Sequence, residues 1–291
     1  MTRDPAADPH YLHAARTLQA LVCPPVENPR ALCWLNGDVL LVAARDGGVH
    51  HVEPSFGTRA LFHAAEDPAR IAIARDKLAV LTRGGRLQVW ALGDRALVWE
   101  AATGLVAGLH LQWWKDGVAV AGDDGQERRV ILYDETGHRR TRAKVPPRTA
   151  LGADADGHLL LASSTEEGLA IRGFGQPLPT DRVTVHTVRF ANDHAVLGIT
   201  TGGVTVWHGP GEGPVSVKLF DVVNAALSPD GALVAMGTRV GAVSLGGAKP
   251  GGQRVNPQRV EGHEGPVLAL AFSPKGRWLA SAAGRCWVWS Y

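Results

Sequence analysis

The sequence predicts an all-β protein: a seven-bladed β-propeller of four-stranded antiparallel blades, its ring closed by an N-terminal strand. Three observations predict it. The chain repeats at a mean spacing of about 39 residues, close to the ~40–45 residues of one propeller blade. Each unit reads as an apolar run, a short turn rich in Gly, Asp or Asn, a second apolar run, a Gly-containing turn, and a third run ending in a bulky residue, which is the order of a β-meander. Helical periodicity is confined to residues 9–22, where Tyr11, Leu12, Ala15, Leu18 and Leu21 fall on one face.

The clearest units are Ala269 to Tyr291, Thr187 to His208 and Ile71 to Trp90. Aligning the third runs makes Glu53, Trp90, Tyr133, Arg172, Trp207, Leu245 and Trp289 equivalent, at spacings of 37, 43, 39, 35, 38 and 44 residues. Seven equivalent positions mean seven blades. Asn36-Gly37-Asp38, Asp154-Ala155-Asp156-Gly157, Ser228-Pro229-Asp230-Gly231 and Ser273-Pro274-Lys275-Gly276 all fall between first and second runs. Gly tolerates positive φ at such a turn, and Asp, Asn or Ser can bond its own backbone.

At the N-terminus, Asp8 reads as the cap and Pro9 as the first position of a short helical turn over 8–14. Residues 1–14 are therefore expected to be a tail and residues 15–291 a single propeller domain. The chain stops right after the third run of the last blade, so one strand is missing there. Arg16 to Leu21 matches the outer-strand pattern of Ala96 to Glu100 and Val215 to Leu219, and it is expected to pair with Cys286 to Ser290.

A hydrophobic fraction of 45% with 20% charged residues suits a globular chain with a large core. Thirty basic against 28 acidic residues give a formal charge of +2, too little field to gather phosphates, so nucleic acid is not an expected partner. The basic cluster Arg139, Arg140, Arg142 and Lys144 follows Asp134 and Glu135 and reads as a solvated strand. Cys23, Cys33 and Cys286 form an odd set without metal-ligand spacing, which fits reduced thiols in cytoplasm rather than a disulfide scaffold. Met1 to His10 lacks the apolar stretch of a signal peptide or membrane anchor. Abundant Ala and Gly, and Arg in place of Lys, suggest a bacterial source.

Gly262-His263, then Val267 to Pro274, Gly276, Trp278-Leu279-Ala280-Ser281 and Trp287-Val288-Trp289 resemble a WD repeat at nearly every family position. Asn224 to Gly231 and Arg189 to Trp207 are similar in pattern, and residues 104–180 show only the meander. The resemblance implies structural roles for His263, Ser281, Trp289, Trp207 and Trp90. A full WD repeat links its strands through His, Ser or Thr, Asp and Trp. The last unit supplies His263, Ser281 and Trp289, while Ala282-Ala283-Gly284 stands where the Asp would be. Packing of apolar runs such as Val39-Leu40-Leu41-Val42-Ala43-Ala44 is then expected to carry most of the stability.

Candidate chemistry is sparse. His50 and His51 point to opposite faces of a strand, and His186 and His194 are apart in the repeat, so no three ligands converge and no metal or cofactor is expected. Asp154-Ala155-Asp156-Gly157 lacks the later oxygens and closing Glu of a calcium loop. Asp123 to Arg129 reads as a long solvated turn. His263, Ser281 and Glu264 supply the residue types of a catalytic triad, but the WD pattern already explains the pair, and no catalytic residue is assigned.

What remains is the loop ring of the narrow face, where second runs turn into third runs and one blade leads into the next. Arg45, Arg83 and Arg239 each follow a second run, and the register aims them at a common rim with Asp46, Glu166, Glu167 and Glu264. Arginine on a rigid rim is a frequent anchor for a partner. The expected function is therefore a non-catalytic interaction scaffold or regulatory subunit of a multi-protein complex, monomeric when isolated, with other protein subunits as partners and no membrane contact. The alternative is a propeller enzyme or small-ligand binder using the central channel. The channel-facing starts of the first runs, among them Arg30-Ala31, Arg70-Ile71, Leu109-His110 and Val223-Asn224, contain no carboxylate, which disfavours it. Far-UV circular dichroism is expected to show less than about a fifth helix, since a propeller leaves little chain for helices; a larger helical signal would sink the fold.

Overall fold

A computed structural model describes residues 18–22, 24–54, 57–65, 67–147, 149–153, 156–165, 168–172, 185–190, 195–208, 213–250 and 258–291. Among these every regular element is a strand. Blade one comprises Pro29–Trp34, Leu40–Ala44, Gly48–Glu53 and Gly57–His63, and blade two Pro68–Ala74, Lys77–Thr82, Arg86–Ala91 and Leu97–Ala102. Blade three is Ala107–Trp114, Gly117–Asp123, Arg128–Asp134 and Arg139–Lys144; blade four shows Ala150–Ala153, Leu159–Thr165 and Gly168–Arg172. Blade five holds Val185–Phe190, Val196–Thr200, Gly203–Trp207 and Val215–Lys218, and blade six Val222–Leu227, Leu233–Thr238, Ala242–Gly247 and Gln258–Glu261. Blade seven is Ala269–Phe272, Trp278–Ala282 and Cys286–Ser290, with Gln19–Val22 as its outer strand. All pairings are antiparallel between chain neighbours except this last one, which joins Gln19 to Ser290 and Ala20 to Trp289. The expected ring closure is thus observed over Gln19–Val22. The expected tail and helical turn over 1–14 lie outside the described residues, as does any fourth strand of blade four.

The second and third strands are buried almost throughout, as Leu40–Ala44 and Leu233–Thr238 among the second and Gly203–Trp207 among the third show. Each sheet is covered on both faces by its neighbours, which is why these runs are continuously apolar. The core is accordingly a set of layers between blades. Leu41, Val49, Leu78 and Val80 fill the layer between blades one and two, and Leu81, Leu87, Leu105 and Ile131 the next. Leu197, Val206, Val234 and Met236 lie between blades five and six. Val42, Val52, Ala280 and Val288 join blade seven to blade one. Leu18, just ahead of the closing strand, is buried with Leu245, Leu279 and Trp289.

Register corrects the alignment of third runs in two blades. Trp90 faces Leu78, Trp289 faces Leu279 and Tyr133 faces Val118, but the residue opposite the matching Leu40 is Val52 rather than Glu53. In blade six the residue opposite Val234 is Gly246 rather than Leu245. A Cβ at Gly246 would lie 2.6 Å from Val217 Cγ1, so a neighbouring side chain fills the space of the missing aromatic ring. Arg172 keeps its place: it pairs with Leu161, four residues ahead of the Thr165–Gly168 pair, as Trp207 pairs with Val196 four residues ahead of Thr200–Gly203. Turn residues anchored the alignment, and turns of unequal length displace it.

The first turns follow their chemistry. Asn36 Oδ1 accepts from the Asp38 and Val39 amides, and Ser228 Oγ and Ser273 Oγ accept from Leu233 N and Trp278 N. The turns after the second strands repeat more closely still. In Arg45-Asp46-Gly47, Arg83-Gly84-Gly85 and Arg239-Val240-Gly241 the glycine has φ of 95°, 75° and 93° and donates back across the turn to Ala44, Thr82 and Thr238. A side chain there would meet a carbonyl oxygen of the following loop at 2.1–2.4 Å, so only glycine fits.

Deleting residues 1–22 removes the strand that pairs with Cys286–Ser290 and the buried Leu18. The melting temperature is expected to fall by more than about 5 °C, or the protein to aggregate through the exposed edge, while deletion of residues 1–7 leaves it unchanged. Equal melting temperatures for both truncations and the intact chain would show closure by other means.

Candidate functional site

On the face where first strands begin and second strands turn into third, the upper face, one arrangement recurs three times. Asn28, Asp67 and Asp221 lie in the loops leading into blades one, two and six with φ of 48°, 52° and 60°. Their carbonyls accept from the amides of Arg45, Arg83 and Arg239 at 3.0, 2.9 and 2.9 Å. Positive φ turns each carbonyl toward the neighbouring loop, and Asn and Asp tolerate that conformation better than other side chains do. The three arginines expected at a rim therefore start from equivalent backbone positions, and all three are exposed.

Their surroundings differ. The Arg83 side chain lines a cavity of about 460 Å³ at the mouth of the central channel, together with Arg30, Arg70, Val106, Asn224 and Val267. Arg45 and Arg239 do not line it, and neither forms an ion pair among the described residues. Asp46 serves its own turn, its Oδ1 accepting from Gly48 N at 2.9 Å. Glu264 is exposed in the loop before blade seven, and Glu166 and Glu167 lie outside the described residues.

Sequence reading placed Arg30 and Arg70 at channel-facing strand starts without grouping them with Arg83. The missing signal was Asp67, in the loop between blades one and two, which approaches Arg30 Nε at 3.6 Å and Arg83 Nε at 3.8 Å. Both distances are ion-pair contacts too long for hydrogen bonds; Arg30 Nε and Asp67 Oδ1 are buried and lack hydrogen-bond partners. Arg70 donates from Nη1 to Ala69 O at 2.7 Å. Burial, and then the charge of Arg83, push its ionisation below the ordinary arginine value, though a guanidinium stays charged in proteins.

Apolar side chains are also exposed on this face. Val106, Phe220 and Val240 are 62%, 79% and 61% accessible, and all three stand in its loops; the other exposed large apolar residues, Leu21, Leu97 and Val98, belong to outer strands.

Other candidates resolve into structure. His263 Nε2 and Trp289 Nε1 each lie 2.7 Å from Ser281 Oγ, and His263 Nδ1 is buried without a partner. That orphan is the trace of the acidic side chain missing from Ala282-Ala283-Gly284. Trp207 and Trp289 are fully buried, and Trp90 stacks on Phe62 with ring centroids 4.6 Å apart. The basic outer strand of blade three is neutralised locally: Arg142 reaches Asp124 at 3.1 Å, Arg140 reaches Asp134 at 2.8 Å, and Lys144 pairs with Glu127. His51 lies 3.4 Å from Glu53, His194 and Cys23 fall outside the described residues, and no group of three or more His, Cys, Asp or Glu able to hold a metal occurs among the described ones. Cys33 is a free thiol, and burial pushes it up to about 12. No helix among the described residues is long and apolar enough to cross a membrane.

Residues 255–290 match the family model of the WD domain, G-beta repeat. Among solved structures the chain is similar to the β-propeller domain of Cps50 (Swd1) from Myceliophteria thermophila, at 17% identity and a TM-score of 0.69, covering 94% of this chain and 100% of that one. It is also similar to Raptor from Chaetomium thermophilum, at 14% identity and a TM-score of 0.74, covering 96% of this chain but only 29% of that one. At such identities the likeness is one of fold. None of the curated proteins matches the sequence.

Burial holds the His263 imidazole down to about 4, against an ordinary value of 6.5. Between those limits the unfolded chain takes up a proton that the folded one refuses, so stability present above pH 6.5 is lost on acidification toward pH 4. The urea midpoint is expected to fall across that window and to fall less in His263→Gln; an identical pH profile for the two proteins would contradict the burial.

Proposed function

We propose that this β-propeller, whose last blade is a WD repeat, is a non-catalytic interaction subunit of a multi-protein complex and holds its partner on the upper face. The observation that carries the reading is the coincidence, on one face, of exposed loop residues Val106, Phe220 and Val240 with loop arginines Arg45, Arg83 and Arg239 and with Arg30 and Arg70 near the starts of first strands. Interface cores are enriched in aromatic residues and arginine, and rigid strands fix the roots of these loops. Asp46 and Glu264 stand on the rim of the same face, and Glu166 and Glu167 complete the proposed contact set.

The propeller over residues 15–291 acts in this reading as one unit of a bacterial cytoplasmic protein, with the chemistry of the complex residing in its partners. Two substitution sets test the face in the native host: Phe220→Ser with Val240→Ser, and Arg45, Arg83 and Arg239 each to Glu. Both sets are expected to reduce co-purification of the wild-type partner, read by quantitative mass spectrometry, by about tenfold or more, with unchanged circular dichroism and melting temperature. Folded variants that retrieve the same partner undiminished would refute the upper-face reading.

A further inference from the structure

We infer that the channel mouth on the upper face is a carboxylate-binding site, where Arg30, Arg70 and Arg83 receive an Asp or Glu side chain from an extended segment of the partner protein. The inference rests on the partner-binding reading and names the chemistry of its central contact.

Three guanidiniums share one cavity, and among the described residues the one carboxylate paired with them is that of Asp67, so these groups together carry net positive charge. Asp67 divides itself between Arg30 and Arg83 at 3.6 and 3.8 Å and hydrogen-bonds to neither. A guanidinium offers five donors in a rigid fork. The Arg30 Nε donor is buried and unfilled, and the bond Arg70 makes to the Ala69 carbonyl leaves its charge without a counter-ion among the described residues. Like charges held together at partial burial cost free energy, and an incoming carboxylate repays it by accepting two parallel charge-assisted bonds from one fork while neutralising its neighbours.

The walls argue for a carboxylate on a chain rather than a free ion. Pro68, Leu109, Pro266 and Val267 line the cavity beside the arginines, and exposed Val106 stands at its edge. An aliphatic stem or peptide backbone passing over these surfaces gains contact that a bare anion does not. A polynucleotide would need a track of cations, whereas these three converge on one point and the other basic cluster, on blade three, is already ion-paired.

Fluorescein-labelled decapeptides with Leu and Glu alternating, and their Leu-Gln counterparts, are titrated into the full chain by fluorescence anisotropy. The Glu peptide is expected to bind about tenfold tighter or more than the Gln peptide, and to weaken as ionic strength rises from about 0.05 M to about 0.3 M. Arg83→Gln, whose side chain is exposed enough to be replaced without unfolding the ring, is expected to weaken it about threefold or more, and the Arg30→Gln, Arg70→Gln, Arg83→Gln triple variant about tenfold or more; Lys249→Gln leaves it unchanged. Equal binding of the two peptides, or undiminished binding by Arg83→Gln, overturns the inference. So does inorganic phosphate saturating the mouth while no peptide binds, which would make it a small-anion site. Partner capture lost with Phe220→Ser and Val240→Ser but intact in the triple variant would sink the carboxylate site alone. Selective Glu-peptide binding in a protein whose complex membership neither variant set alters would sink the partner-binding reading instead.

Discussion

Everything in this molecule depends on apolar surfaces meeting between blades. A single four-stranded sheet here has two greasy faces and no centre of its own, so it is stable only as a filling between two others. That requirement cannot be met at the ends of an open row. It forces the row into a ring, and it explains why Leu40–Ala44 and Leu233–Thr238 are apolar on both sides instead of alternating. Polar linkage is secondary: in the last blade Ser281 ties His263 to Trp289 with one ring nitrogen left over, and the blade persists because its hydrophobic layers do.

The same constraint divides the molecule into parts that can vary and parts that cannot. Strands are committed to packing on both faces, so freedom resides in the loops. On the upper face that freedom is disciplined by a repeated device, an Arg-x-Gly turn whose first amide is gripped by a carbonyl of the preceding loop. The device fixes where an arginine starts without fixing what it meets. One such arginine reaches a shared cavity over the channel, and the other two form no ion pair among the described residues.

The architecture was legible because it is written as period and turn chemistry. Seven units, glycine at the hairpins and an unpaired last run sufficed for blade count and closure, and Gln19–Val22 bears out the closing strand. Register was legible only to within one residue, since Val52 and Gly246 occupy the row that pattern matching gave to Glu53 and Leu245. A missing side chain whose space is filled by Val217 from the neighbouring blade leaves no mark in the local sequence. The channel mouth was half legible for a similar reason. Arg30, Arg70 and Arg83 could each be placed on an inner strand or its loop, but their convergence on one cavity arises from curvature, and curvature is a property of the closed ring that no single repeat encodes.

In order of synthesis, the strand that completes blade seven precedes every other strand of the ring. Gln19 meets Ser290, and Leu18 is buried beside Leu279 and Trp289, so the leading stretch has no sheet to join until the trailing hairpin exists. Such a contact spans almost the whole sequence and closes late, because the entropy of so long a loop must be met before the pairing repays it. For the length of that interval the nascent protein carries an idle β-segment at one end and an unsaturated edge at the other. Timing, not affinity, then protects it: the waiting segment is short, and its complement is the last strand of the ring to be made.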